Sequence, residues 1–367
     1  MCGNVSCKFR RPMREGEFRK KIIWFTFGFS ILVVWAHSFN AELFMGATEA
    51  GDELYRIEHF FGEILAQIAV PGFFMISGYL FYRNFSWGKL GGKWKSRIRS
   101  ILIPYILWNS LYYLGYVIGS RLPGIGGLMG KGVIPFKLEV LADTVIHHTY
   151  LHVFWYLYQL IFLIALAPVL YGILKRAWIG WIYLAVLLVL VGVKQDLPVI
   201  NEDALFYYSA AGFAALRQEK WMERAWSQRR MAVGILILAA AAGCFFAAEK
   251  TSEPFYAVQY RFLAVTGLWL TVKEDKLGQI RQWMEYNFFL YALHFAFVRL
   301  INKGGAFIFH QFFPATGGEE PALWPAGAIP LALYLMMPAA MVILSAWMGK
   351  TMKKISPAIF CLLNGGR

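Results

Sequence analysis

Ten apolar runs, most of them about long enough to cross a bilayer, constrain the fold of this chain more than anything else in it: 22 to 38, 60 to 82, 100 to 119, 151 to 174, 177 to 193, 204 to 216, 231 to 248, 255 to 272, 283 to 302 and 323 to 348. A spanning helix needs roughly 20 mostly apolar residues, so the runs predict an all-α integral membrane protein, a bundle of about ten transmembrane helices. The run 204 to 216 is the shortest. Composition agrees: 16% of residues are charged, against about 25% in soluble domains. Aromatic residues make up 17%, as expected for rings gathered at two membrane interfaces. A disordered chain and a nucleic-acid partner are excluded. Cys2, Cys7, Cys244 and Cys361 lie in tails or an apolar run, which predicts neither a disulfide framework nor a metal.

The net charge of +14 is explained by its distribution. Lys8, Arg10, Arg11, Arg14, Arg19, Lys20 and Lys21 precede the first run, which reads as an uncleaved signal-anchor. The connection 39 to 59 carries Arg56 against Glu42, Glu49, Asp52, Glu53 and Glu58, and the next is basic again with Arg83, Lys89, Lys93, Lys95, Arg97 and Arg99. Alternation continues through Lys175 and Arg176, the acidic 194 to 203, and the basic 217 to 230, 273 to 281 and 350 to 367. This positive-inside pattern puts both termini in the cytoplasm. It divides the chain into a basic tail (1–21), a membrane domain (22–348) and a second cytoplasmic tail (349–367). The connection 120 to 150 is long, carries Gly124, Gly126, Gly127, Gly130 and Gly132, and ends in a possible helix at His147 and His148. It reads as an outward-facing functional cover or a plain loop.

An ionisable group inside an apolar run is costly and usually faces a cavity or a partner. His37 follows the apolar stretch Ile31 to Ala36. An imidazole there is a base near neutral pH or an ordinary interfacial histidine at a helix end. The second run reads Val70-Pro71-Gly72-Phe73-Phe74-Met75-Ile76-Ser77-Gly78-Tyr79-Leu80-Phe81, and the third opens Arg97-Ile98-Arg99-Ser100-Ile101-Leu102-Ile103-Pro104-Tyr105. The fourth begins His152-Val153-Phe154-Trp155-Tyr156-Leu157, and the ninth holds Phe288-Phe289-Leu290-Tyr291-Ala292-Leu293-His294.

Taken in this order with His37, the set resembles acyltransferase family 3 over roughly residues 18 to 348. The resemblance implies a multi-spanning enzyme that moves acyl groups, often acetyl, from cytoplasmic acyl-CoA to cell-envelope sugars and related acceptors. It makes His37 the family's essential first-span histidine and Ser77 and Gly78 its Phe-x-x-Ser-Gly segment. Thr26 stands where the family usually carries an Arg or Lys, with Lys21 the nearest preceding cation, and Lys93, Lys95, Arg97 and Arg99 alternate in place of Arg-x-x-Arg.

The residues also permit their own account. Acyl transfer from a thioester to a hydroxyl needs a base and donors for the developing oxyanion, roles that fall to His37 and to Arg261 inside the eighth run. CoA phosphates call for basic groups at a helix start, and Lys95, Arg97 and Arg99 are so placed, although positive-inside charge explains them equally. Glu63 is a possible partner for Arg261 or an acceptor contact. Asn287, Tyr291 and His294 share one helix face, as a cavity wall or an interhelical hydrogen-bond network. His152, Trp155, Tyr156 and Gln159 line the start of the fourth run as acceptor contacts or interface anchors. His147, His148 and His152 lack the ligand set of a metal site.

These readings converge on a multi-pass O-acyltransferase of the inner or plasma membrane. Its expected co-substrate is acyl-CoA, with acetyl-CoA the first choice, and its acceptor an envelope glycan or lipid-linked sugar, as in O-acetylation and other polysaccharide modification. The alternative is a transporter or flippase for an envelope precursor.

Overall fold

The computed structural model describes residues 12–124, 132–194, 197–313 and 326–366. Cys2, Cys7, Lys8, Arg10 and Arg11 of the basic tail, Gly126, Gly127 and Gly130 of the long connection, and the start of the last apolar run lie outside them. The helices are α1 (Glu15–Ala36), α2 (Ala41–Met45), α3 (Glu49–His59), α4 (Ala69–Tyr82), α5 (Leu90–Arg97), α6 (Ile103–Gly119), α7 (Leu138–His147), α8 (Trp155–Ala165), α9 (Ala167–Leu174), α10 (Ala177–Gly192), α11 (Glu202–Arg217), α12 (Glu219–Met222), α13 (Gln228–Thr251), α14 (Pro254–Thr271), α15 (Asn287–Phe312), α16 (Ala328–Ile355) and α17 (Pro357–Leu363). Short π and 3-10 turns join α3 to α4 and α5 to α6. Among the described residues no strand is present, only an isolated bridge between Pro12 and Arg224.

Over its described residues each apolar run is largely helical, but the runs are not equivalent. Among the described residues, five helical passages are long and apolar enough to cross a bilayer: Glu15–Met45, Glu49–Tyr82, Trp87–Gly119, Gln228–Thr251 and Ala328–Ile355. A sixth exists if α8 and α9 form one passage, yet these meet at a bend of 63°. Pro168 explains the break, because proline removes a helix N–H and its ring displaces the preceding turn. The run 151 to 174 is therefore a broken helix rather than the straight span expected.

The short run 204 to 216 became α11, whose residues Ala204 to Phe213 are all buried. A helix surrounded by other helices can carry polar groups and a short span. By contrast α13 has only 11% of its apolar window buried, the signature of a lipid-facing helix.

Small residues set the closest approaches, as is usual between membrane helices. A Cβ on Gly72 would lie 2.2 Å from the Phe29 ring, and one on Gly78 would lie 2.3 Å from the Tyr208 carbonyl oxygen. Gly78 thus seats α4 against α11.

The bundle end bearing the start of α1 is tied by charge. Arg83 Nε and Nη2 donate to Glu223 at 2.6 and 2.8 Å, and its Nη atoms donate to Glu15 at 2.8 and 3.2 Å. Tyr79 donates to Glu223 at 2.9 Å, and the guanidinium lies 4.4 Å from the centre of the Phe18 ring. Hydrogen bonds to Glu223 and Glu15 raise the Arg83 pKa and hold it charged. Arg83 and Glu223 side chains are only 19% and 14% exposed, so truncating one partner strands the other. Arg83→Gln should cost about 2 kcal/mol, the usual scale for hydrogen bonds to charged groups. Thermal unfolding in detergent checks this, and the Arg83→Gln/Glu223→Gln pair should cost less than the two single changes added.

The described parts of the two expected tails are folded. Helix α1 starts at Glu15, where Lys21, 1% exposed, donates to the Val272 carbonyl at 2.7 Å. Lys20 does the same to Leu277 at 2.7 Å. At the other terminus α17 docks back, with Phe360 buried and Trp108 Nε1 donating to Leu363 O at 3.0 Å. The long connection does form its helix, α7, against Tyr113 and Tyr150.

Candidate active site

His37 terminates α1: its N–H bonds Val34 O at 3.1 Å and its backbone leaves the helix at φ −109°, ψ 3°. Buried polar groups clamp the turn from Ser38 to Ala41. Glu58, with no exposed surface, accepts the N–H groups of Asn40 and Ala41 at 2.9 and 3.2 Å. Asn302 Nδ2 donates to the carbonyls of Ser38 and Phe39 at 3.1 and 3.3 Å, and Asn40 Nδ2 donates to Pro330 O at 3.1 Å. Helices α3, α15 and α16 therefore fix the backbone beside His37 without engaging its imidazole. Glu58, read from the sequence only as one acid of an acidic loop, is a structural clamp.

The imidazole is exposed to a cavity of about 350 Å³ that it lines together with Glu63, Gln67, Trp155, Asp203 and Arg261. A wider cleft of about 490 Å³ shares Glu63, Gln67, Asp203 and Arg261 and adds His59, Glu249 and Glu253. Two carboxylates, an amide, an indole and a guanidinium thus line one cavity with the imidazole.

Arg261 does not pair with Glu63, as the sequence had suggested. Its Nη1 lies 3.7 Å from Asp203 of α11, and its Nε donates to Tyr260 OH at 3.4 Å. Glu63 instead faces His59, one helical turn before it, at 3.3 Å. The pairing crosses from α14 to the start of α11, a tertiary contact that no local spacing reveals. Arg299 was also missed: it stacks 4.4 Å over Phe295, whose ring lies 6.0 Å from that of His37.

Behind the cavity runs a row of mostly buried polar groups. His294 Nδ1 bonds Tyr291 O at 2.7 Å, and the His294 ring lies 5.3 Å from that of His37. Tyr291 donates to Val153 O, stacks on Phe154 at 5.3 Å and lies 6.2 Å from the Tyr156 ring. Tyr156 OH meets Ser77 Oγ at 3.0 Å. The cavity set of His37, Glu63, Trp155 and Arg261 and the interior set of Ser77, Tyr156, Tyr291 and His294 are contiguous. His152 stands beside Phe295, ring centres 6.3 Å apart.

The basic cluster divides. Lys95 and Arg99, four apart and on one face, are exposed, and Arg99 lies beside Gly366. Arg97 is half-buried. Lys93 Nζ donating to Arg83 O at 3.1 Å puts the start of α5 at the opposite end of the bundle from His37. Thr26 bonds back to Ile22 O and Ile23 O at 2.9 and 3.0 Å, and Lys21 is occupied at Val272, so neither serves the cavity. Outside the bundle, hydrogen bonds from His147 and Thr149 hold the Asp143 carboxyl below its ordinary pKa. Burial, with the charges of His152 and His147, pushes the His148 imidazole down. No group of three or more His, Cys, Asp or Glu among the described residues could hold a metal.

Fold and cavity define a helical multi-pass membrane protein with a histidine facing an internal polar chamber. A family model described as an acyltransferase domain matches residues 27–350, nearly the whole chain, and the chain belongs to that family, acyltransferase family 3. No curated protein and no solved structure matches it significantly.

Proposed function

We propose that this membrane acyltransferase moves an acyl group, acetyl in the simplest case, from cytoplasmic acyl-CoA to a hydroxyl of a cell-envelope carbohydrate or lipid-linked sugar. The observation that carries the reading is His37 itself, an imidazole exposed to a polar chamber in the interior of an otherwise apolar bundle. Neutral His37 takes the hydroxyl proton as the acceptor oxygen bonds to the thioester carbon. The C–S bond breaks, and the thiolate of CoA recovers the proton. Arg261, on the same chamber wall, is the oxyanion donor. Glu63 and Gln67 offer acceptors for sugar hydroxyls, and Trp155 offers an apolar face to a sugar ring. Arg97, with Lys95 and Arg99 outside it, holds the CoA phosphates, and the row Tyr208, Tyr156, Ser77, Tyr291 and His294 marks the way to His37.

The reading requires ten membrane passages with both termini in the cytoplasm of an inner or plasma membrane. Reporter fusions after Lys21, Lys95, Arg224 and Lys354 should report cytoplasm, and fusions near Asp52 and Glu319 the outside; an external signal at Lys95 removes the CoA entrance. Mass spectrometry of envelope glycans from cells with and without the gene tests the activity. One acyl mass should disappear with the gene, and identical glycans would overturn the proposal. A transport role gains no support from the family match.

A further inference from the structure

His294 is wholly buried, and only one of its nitrogens is satisfied. The Tyr291 carbonyl at 2.7 Å can only accept, so Nδ1 carries the proton. Nε2 is therefore a lone pair, and it has no partner. Leaving such an acceptor unpaired in a protein interior forfeits its hydration with nothing in exchange, so a nitrogen kept in this state calls for a donor that arrives. The nearest ring with an N–H to give is His37, its centre 5.3 Å away and its plane tilted by 39°. An imidazole nitrogen lies about 1.1 Å from its ring centre, given C–N bonds near 1.33 Å. Two rings at that separation can bring their nitrogens to about 3 Å, within hydrogen-bond reach. A rotation of the His37 side chain completes the approach, and the cavity on its open side leaves room for it.

We infer that His294 is the positioning residue of the catalytic imidazole: its Nε2 accepts the N–H of one His37 ring nitrogen and so leaves the other as the bare base facing the chamber. This rests on the reading of His37 as general base and adds the tautomer control that such a base needs. The proton path is unchanged. The acceptor hydroxyl gives its proton to the chamber-facing nitrogen of His37, His294 keeps its own on Nδ1, and the His37–His294 bond strengthens as His37 becomes cationic. His294 never touches the substrate.

The test uses full-length protein in native membrane vesicles, with acetyl-CoA as donor, the vesicles' own envelope glycan as acceptor, and thiol release as the signal. His294→Phe keeps the ring volume and removes the acceptor. It should lower kcat roughly tenfold, a part of the general base's own contribution, with KM for acetyl-CoA unchanged. His294→Gln, whose Oε1 falls near the place of Nε2, should recover a large part of the loss. Full activity in His294→Phe beside an inactive His37→Ala overturns this inference and leaves the base in place. An active His37→Ala overturns the base reading and this inference with it. Histidine-selective nitrogen-15 NMR of the unmodified protein gives a second readout that does not depend on folding of a variant: a His294 signal with Nδ1 protonated and Nε2 coupled to a His37 N–H supports the pair, and protonated Nε2 overturns it.

Discussion

His37→Ala should lower envelope acylation by about 100-fold or more, the scale of a lost general base, while the protein inserts and accumulates as before. The structure bears on the second half of that expectation. The backbone after α1 is held by Glu58, Asn302 and Asn40, whereas the imidazole faces a cavity and supports none of those bonds. Removing it empties space that is already open. His37→Gln retains hydrogen-bonding capacity without basicity and should fail equally. Complementation of a deletion strain at matched expression, read as acyl mass on envelope glycans, decides the point: normal acylation by either variant would remove His37 from the chemistry.

Arg97→Gln should raise the KM for acyl-CoA roughly tenfold, as expected when a charge-assisted phosphate contact is lost, with kcat at saturation much less affected. Arg99→Gln and Lys95→Gln should do less, and their effects should fade at high salt because exposed charges are screened over about 10 Å at 0.1 M. The distinction comes from the helix phase. Arg97 is half-buried, and its two neighbours are exposed. Equal effects of all three would reduce the cluster to topogenic charge. Titration of the purified protein with acyl-CoA at two ionic strengths measures the difference.

Much of this molecule was legible in one dimension because bilayer physics leaves a chain few choices. The described parts of the apolar runs are largely helical, and the order of His37, Phe74-Met75-Ile76-Ser77-Gly78 and Tyr291-Ala292-Leu293-His294 pointed to the family that the match over residues 27–350 shows. The buried, short α11 reads poorly for the same physical reason: a helix shielded from lipid by its neighbours need not look lipid-soluble. Gly72 and Gly78 carry no sign in the sequence of what they meet, and they are contact points for Phe29 and Tyr208.

Hydrophobicity along the chain, charge alternation and a few ordered motifs were enough to determine that the protein is helical and membrane-embedded and which family it joins, since each depends on residue type and chain order alone. Which charges meet was decided by packing. Arg261 sits beside Asp203 rather than Glu63, Glu58 clamps the turn after His37, and Arg97 is half-buried while Lys95 and Arg99 are exposed. His294 lies against His37 across 257 residues of chain. Such pairings depend on the direction in which each helix presents its side chains to a neighbour distant in sequence, and that direction exists only once the bundle has closed.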